Sequence, residues 1–418
     1  MLLKISWKNI LNKKLNSFLC VLLMTLGIAI ISLLLLLVKQ LQDKFAKNIS
    51  GIDMVVGAKG SPLQLILSSV YQIDNPTGNV YLDDVTAIAQ NPLVKEMIPL
   101  SMGDNYQSYR IVGTNKKYFE HFKAQFASGT MFKNNLDVVL GGQVALNTGL
   151  KIGDTFASSH GLDAAGEVHG DTKYKVVGIL EFNNSVIDNL VLTSLNSVWS
   201  IHDHNAEEGH AEGEEEHKEE AGEPHDHEHE TEEAEMPKRE ITSALIKFRS
   251  PMGLMSMPRN INQNSKLQAA LPSIEVNRLF ELLGIGIDGL QVLAAVIMLI
   301  SGISVFVSLY NSLKERKYEM ALMLSMGASR TRLFLMLLLE GILLALFGFV
   351  AGIVLSRVGI VLISNQLSKK FHFDVAQMNL QTGEIYLFAG ALAIGILAAA
   401  LPSINIYRLN ISRTLAEE

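Results

Sequence analysis

The stretch LNSFLCVLLMTLGIAIISLLLLLV, residues 15–38, decides the fold of this chain, because it holds no charged side chain over 24 residues. A helix rises about 1.5 Å per residue, so a run of this length can cross the ~30 Å hydrocarbon core of a bilayer. Lysines precede it, but the run is too long for a signal peptide, and Lys39-Gln40 follows without a small-residue cleavage site. We therefore predict an uncleaved membrane helix.

Three more apolar runs are long enough to span a membrane, and they lie at residues 290–310, 333–363 and 385–404. The third of the four runs exceeds the thickness of the bilayer core, so we expect its start to lie outside the membrane. The whole chain is 48% hydrophobic with a mean hydropathy of +0.24, which fits membrane spans combined with a soluble domain.

Positive charges in the short connecting segments predict the orientation, since cytoplasmic loops are rich in Lys and Arg. The N-terminus (1–14) carries four lysines, the loop at 311–332 carries five basic residues, and the C-terminus (405–418) carries two arginines. The loop at 364–384 has only two lysines. We predict a multi-pass protein of the cell (inner) membrane, with 39–283 and 364–384 outside the cytoplasm.

The long segment at 39–283 predicts an α+β domain. Its first part, to about Ser50, continues the first span as a helix. Short β-rich runs such as 109–113, 137–140, 175–180 and 190–192 then alternate with turn signals and with helical stretches at 83–90 and 143–148. Strand-like sequence returns at 241–248, and we expect a helix near Leu267. The predicted fold class is a membrane protein with four transmembrane α-helices and an α+β extracytoplasmic domain.

An insert at 202–238 interrupts this domain with Glu, His, Ala and Gly. Of the 42 acidic residues in the chain, 16 lie between Asp203 and Glu235, and apolar side chains that could form a core are almost absent. We predict a disordered loop. The rest of the chain carries 26 acidic and 34 basic residues, so the overall charge of −7 reflects the insert.

The insert alternates histidine with carboxylate, a combination of ligands that suits Zn²⁺. The alternative is an acidic spacer with incidental metal affinity, and the pattern leaves both open. Zinc in this insert is the only cofactor that we consider on the chain. The single cysteine, Cys20, can form neither an internal disulfide nor a cysteine-based zinc site. No Ser/His/Asp, H-E-x-x-H or glycine-rich dinucleotide pattern appears, and we do not expect an enzyme. The histidines of the insert are His202, His204, His210, His217, His225, His227 and His229.

The loop at 311–332 contains the most informative motif, within KERKYEMALMLSMGASRTRLFLMLLLE at residues 314–340. A charged helix start precedes an apolar stripe of Met320, Met323 and Leu324. A Gly-Ala-Ser break follows and leads into a basic helix start. Such an amphipathic helix at the membrane face can dock into a groove on a partner protein. The alternative is an interfacial helix in an ordinary positive loop.

This stretch resembles the coupling region of FtsX/MacB-like ABC permeases, in which a run of the type E-R-x-x-E-[IM] precedes G-A-[ST] and the third span. The four-span layout, with a large domain after the first span, also resembles that family, over essentially the whole chain except 202–240. The resemblance implies an ATPase-coupling site formed by Glu315, Arg316, Glu319, Met320, Gly327, Ala328, Ser329 and Arg330.

The resemblance also implies the function and the partners. We expect a permease subunit, as a homodimer or a paralogous heterodimer in membrane lipid, driven by a separate cytoplasmic ABC ATPase that binds ATP. The sequence has no G-x-x-x-x-G-K-[ST] loop for nucleotide. Motion would reach a periplasmic domain for export, efflux or lipoprotein release, with a periplasmic partner and no nucleic acid. The alternatives are a zinc-related permease that uses the histidine loop and a non-transporting signalling permease.

Two charged residues, Glu340 and Arg357, lie within the third apolar run. Charges inside a bilayer are costly and usually face the interior of a helix bundle. One interpretation is a contact that sets the coupling geometry. The interpretation we favour from the sequence places Glu340 near the cytoplasmic interface and lets Arg357 extend outward to the membrane surface.

Overall fold

The computed structural model describes residues 2–12, 14–159, 168–201, 239–371 and 381–408. The chain forms two compact units. The membrane unit comprises Met1–Asp43 and Phe280–Glu418, and the extracytoplasmic unit comprises Lys44–Leu279.

The helices follow the apolar and amphipathic segments of the sequence. They are α1 (Leu2–Asn12), α2 (Lys14–Ile49), α3 (Pro62–Ser69), α4 (Leu82–Ala89), α5 (Lys116–His121), α6 (Gly142–Thr148), α7 (195–201), α8 (Met252–Asn264), α9 (Pro272–Glu315), α10 (Lys317–Ser325), α11 (Arg330–Phe371) and α12 (Thr382–Ser403). Short 3₁₀ turns lie at Val186–Asn189 and Ile404–Arg408.

The strands in the described part of the chain all belong to the extracytoplasmic unit. They are β1 (Met54–Ala58), β2 (Val80–Tyr81), β3 (Val94–Tyr106), β4 (Tyr109–Thr114), β5 (Phe126–Gly129), β6 (Asp137–Leu140), β7 (Thr155–Ser159), β8 (Val168–Leu180), β9 (Leu190–Ser194), β10 (Glu240–Ile241), β11 (Ser243–Phe248) and β12 (Leu267–Ala270).

Among the residues that the structure describes, four helices are long and apolar enough to cross a membrane: α2, α9, α11 as far as Ser364, and α12. The apolar runs at 15–38, 290–310 and 333–363 lie inside the first three, and the fourth run, 385–404, lies within α12 except for its last residue. Together with the α+β unit, these helices confirm the predicted fold class. Both α2, with 36 residues, and α9, with 44, are longer than the ~20 residues that a bilayer needs.

The extracytoplasmic unit is built on one mixed sheet in the order β12-β1-β11-β3-β4-β9-β6-β8-β5, with β7 paired to β3 and β8. The pairs β4–β9 and β6–β8 are parallel, and the other pairs are antiparallel. A second, two-stranded sheet joins β2 and β10. Buried residues alternate along the strands. One apolar core lies between the first half of the sheet and helices α4 and α8, and a second core lies between the other half and α6.

The chain enters and leaves this unit through neighbouring strands. β1, which follows α2, pairs with β12, which precedes α9, so that Val55 lies opposite Ala270. The helix expected near Leu267 is therefore wrong, because residues 267–270 form a strand. Leu267, Ala269 and Ala270 are buried, and pairing with β1 outweighs the local helical preference.

The amphipathic helix α1 packs against α11 in the membrane unit. Ser6 Oγ donates a hydrogen bond to the Met336 carbonyl at 3.0 Å, and the Trp7 ring lies 5.2 Å from that of Phe347. We predicted only a charged N-terminal segment here, because lysines interrupt its few apolar residues and hide the helical stripe.

Candidate coupling site

The short helix α10 lies between two long membrane helices, and its sequence fixes both of its ends. At its start, Arg316 has φ −104° and ψ 16°, which is outside helical geometry and separates α10 from α9. The Arg316 guanidinium lies 3.9 Å from the Glu319 carboxylate one turn later. A turn of this kind lets the chain change direction without a long loop.

The Gly-Ala-Ser sequence ends α10 and starts α11. Gly327 has φ +95°, a conformation that residues with a Cβ rarely adopt. Its N–H donates to the Leu324 carbonyl and the Ala328 N–H donates to the Met323 carbonyl, which together form a Schellman end. Ser329 then caps α11, since its Oγ accepts a hydrogen bond from the Arg332 N–H at 3.3 Å. The motif is thus a compact corner between two helices.

One side of α10 is packed against the membrane unit. Met320 and Ala321 are buried, and Met320 belongs to an apolar cluster with residues from α1, α9, α11 and the C-terminal turn. The Arg330 guanidinium donates to the Tyr407 carbonyl, which joins the start of α11 to the same turn. The cluster comprises Met320, Leu313, Leu333, Met336, Leu337 and Ile406, with Ile5, Met323 and Leu324 at its edge.

The apolar stripe that we expected to meet a partner therefore faces inward. Met320, Met323 and Leu324 hold α10 in place, because the nearest apolar surface belongs to this chain's own helices. The opposite side of α10 is exposed instead. It presents Tyr318 (43% exposed), Leu322 (45%) and Met326 (80%), which recur every four residues and so share one face.

The eight predicted coupling residues divide accordingly. Glu315, Glu319, Gly327, Ser329 and Arg330 are exposed, Arg316 and Ala328 are half-buried, and Met320 is buried. Glu319 borders the exposed apolar stripe on α10, whereas Glu315 is the last residue of α9, just before the turn at Arg316. Tyr318, Leu322 and Met326 were not among the residues predicted from the sequence, although their four-residue spacing was a usable signal.

Of the two charged residues in the third span, Glu340 and Arg357, the second does not lie where we predicted it. Arg357 does not extend outward, because its guanidinium forms a two-pronged ion pair with Glu384 of α12, with both N–O distances at 2.8 Å. Glu340 is 5% exposed and is held among the helices. Glu384 was not predicted as a partner, since a carboxylate in the first turn of a helix is common there for its own sake.

Two family models match this chain, one over its N-terminal half and one over its C-terminal part. Residues 17–213 match the model of the MacB-like periplasmic core domain, and residues 292–411 match that of the FtsX-like permease C-terminal region. This chain belongs to the FtsX/MacB-like ABC transporter permeases. It is accordingly a multi-pass membrane subunit, and the matched regions include the first span and the region of α10.

Two solved structures are similar in part to this permease. The periplasmic region of MacB from Actinobacillus actinomycetemcomitans is 12% identical, with a TM-score of 0.34 over 57% of this chain and 98% of that one. The extracellular domain of the noncanonic ABC-type transporter YknZ from Gram-positive bacteria is 12% identical, with a TM-score of 0.30 over 52% and 98%. The family assignment depends on the two family models, and no curated protein matches the chain.

The histidine insert lies outside the described residues, so its predicted disorder and its zinc ligands His202 to His229 stay predictions. The same is true of the C-terminal residues from 409 onward. Within the part of the chain that the structure describes, no group of three His, Cys, Asp or Glu side chains could hold a metal ion.

Proposed function

We propose that this permease couples ATP hydrolysis by a separate cytoplasmic ATPase subunit to work performed by its extracytoplasmic unit. The observation that carries the proposal is the two-sided packing of α10. Its inner side is fixed in an apolar cluster, whereas its outer side presents Tyr318, Leu322 and Met326. An exposed apolar stripe on a helix of a folded protein marks a binding site for a partner.

The charge around the stripe indicates the chemistry of the partner. Glu315 and Glu319 are exposed, and the Glu319 side chain is 68% exposed while it lies near Arg316. A groove that is apolar at its base and basic at its rim would receive the helix and both carboxylates. Docking into such a groove is the way in which an amphipathic helix usually binds another protein.

The connections of α10 give the route by which a partner would move the permease. α10 follows α9 after one residue and precedes α11 after the Gly-Ala-Ser corner. Because Met320 packs on both neighbours, a push on α10 displaces the adjoining ends of α9 and α11. α9 is one helix from Pro272 to Glu315, so it extends into the extracytoplasmic unit.

We propose that the work is export, efflux or lipoprotein release, by a pair of permease subunits in the cell (inner) membrane. The role of the insert in zinc handling remains a separate prediction for residues 202–238.

Co-purification tests the proposed docking site. Glu315→Lys combined with Glu319→Lys reverses the charge at the end of α9 and on α10, and we expect at least a tenfold loss of ATPase subunit recovered with the tagged permease. The matched control is Asp43→Lys with Glu120→Lys, because both carboxylates form exposed i,i+4 ion pairs elsewhere. Equal recovery from the α10 variant and the control, at equal membrane levels, would remove α10 from the interface.

A further inference from the structure

A buried polar network joins three membrane helices. Arg357 of α11 places Nη1 2.8 Å from Glu384 Oε1 and Nη2 2.8 Å from Oε2. The Glu384 side chain is 1% exposed and that of Arg357 is 15% exposed. The two parallel hydrogen bonds fix the relative orientation of α11 and α12 more tightly than a single contact could.

The first span joins the same carboxylate. Ser32 Oγ of α2 donates to Glu384 Oε1 at 2.6 Å and lies 2.9 Å from the Ser356 hydroxyl of α11. The backbone N–H of Gln381 donates to Oε2 at 3.1 Å. Both oxygens of Glu384 therefore accept hydrogen bonds, from three parts of the chain.

The network continues a row of close contacts between α2 and α11 that repeats every four residues. A Cβ on Gly348 would lie 2.8 Å from Met24 Cβ, and a Cβ on Gly352 would lie 2.7 Å from Ile28 Cγ2. Met24, Ile28 and Ser32 are spaced by four residues, as are Gly348, Gly352 and Ser356. The two helices thus pack side by side through three successive turns.

Tight packing alone would hold α2 and α11 together without any charge. Placing an ion pair among membrane helices is costly, and an apolar replacement of similar volume is often at least as stable. An ion pair differs from apolar packing in its geometry, because it fits one relative position of the helices and is lost when one helix slides by a turn. The physical gain from this network is therefore one fixed register.

We propose that Ser32, Arg357 and Glu384 are positioning residues that clasp α2 to α11 and α12, so that these three helices move as one body. The clasp gives the first span a fixed link to the helix that follows α10. α2 then follows any displacement of α11 without sliding along it.

Distance measurements between spin labels on the full-length permease in lipid nanodiscs test this clasp. Labels at Gln42→Cys on α2 and Leu362→Cys on α11 occupy exposed positions, in a Cys20→Ser background. We expect one narrow distance distribution for the unaltered network. Glu384→Gln and Arg357→Met should at least double its width. Arg357→Lys should give an intermediate width, because Lys keeps the charge but loses the two-pronged bond.

Two matched controls separate a clasp from a general effect on folding. Glu340→Gln removes another buried carboxylate of α11, and Ser17→Ala removes a serine hydrogen bond from α2 to the Ile10 carbonyl. Both should keep the narrow distribution, whereas Ser32→Ala should broaden it. An unchanged width in Glu384→Gln and Arg357→Met, even with a lower melting temperature, would overturn the proposal, as would equal broadening in the controls. No ATPase subunit is needed, so the result is independent of the proposed function.

Discussion

The two long helices that leave the membrane unit differ in how they continue. α2 has no glycine between Gly27 and its end at Ile49, and its last turns are hydrogen-bonded within the extracytoplasmic unit. Lys47 Nζ donates to the carbonyls of Asn183 and Asn184 at 2.6 and 3.1 Å, and Asn48 Oδ1 accepts from the Val186 N–H at 3.1 Å. The first helix is thus continuous and tied down.

α9 contrasts with α2, because Gly284, Gly286 and Gly289 lie close together within it. A Cβ on any of the three would meet no atom of the described chain within 4 Å, so no contact within this chain requires them. Glycine in a helix interior is about 1 kcal/mol less favourable than alanine. The comparison teaches that a hydropathy profile finds both spans alike, although only α9 carries glycines next to its apolar run. We expect α2 to act as a strut and α9 to bend near 284–289.

Filling the glycines of α9 should give the largest effect. The triple change Gly284→Ala, Gly286→Ala and Gly289→Ala should stabilise the helix by about 3 kcal/mol in total, because alanine is the better helix former at each position. The melting temperature of the detergent-solubilised permease should rise. Gly302→Ala is the control that should lower it, since its Cβ would lie 2.6 Å from Ile394 Cγ2. A lower melting temperature for the triple variant would contradict the open surroundings of these glycines.

Removing the tie at the end of α2 should give a smaller effect. Asn48→Ala leaves the buried Val186 N–H without its acceptor, a loss of about 1–2 kcal/mol. Hydrogen exchange of the amides at 183–189 should speed up by roughly tenfold. Asn79→Ala, which removes an exposed hydrogen bond to Glu240, should leave this segment unchanged. Unchanged exchange at 183–189 in Asn48→Ala would show that the Asn48–Val186 hydrogen bond does not stabilise the end of α2.

A pH effect at the same end of α2 should be the smallest. Burial, and then the charge of Lys247, lower the pKa of His121 below its ordinary value of 6.5, while Glu96 opposes the shift. The stability that neutral His121 contributes is therefore complete above about pH 6.5 and is lost as the pH falls through its lower folded value. The His121 ring lies beside Gly51, which follows α2, at 3.3 Å from an ideal Cβ. The protection factors of the amides at 45–52, which compare each exchange rate with its intrinsic rate at the same pH, should fall in mild acid. His121→Leu should remove that dependence. An equal acid response in this variant would assign the effect to another group.

The sequence predicted the parts of the fold that depend on local patterns. Four apolar runs, the helical extension of the first span and the strands β4, β6, β8, β9 and β11 could be found, because burial in lipid or in a sheet produces long or periodic apolar patterns. Glu384 could not be assigned to Arg357, nor Ser32 to Glu384, because these contacts join positions far apart in the chain. The packed side of α10 was misassigned for the same reason, since its cluster includes Ile5, Leu313 and Ile406. The strand at 267–270 depended on its pairing with β1.

Spin-label distances along each helix, with and without ATP, test the central claim most directly. In the permease reconstituted with its ATPase subunit, one pair of labels at Ile274 and Leu299 brackets the glycines of α9, and another at Leu22 and Gln42 follows α2. A straight helix separates the first pair by about 37 Å and the second by about 30 Å. We expect ATP to change the α9 distance and to leave the α2 distance unchanged. An ATP-dependent change along α2 but not α9, or no change along either helix, would contradict the account.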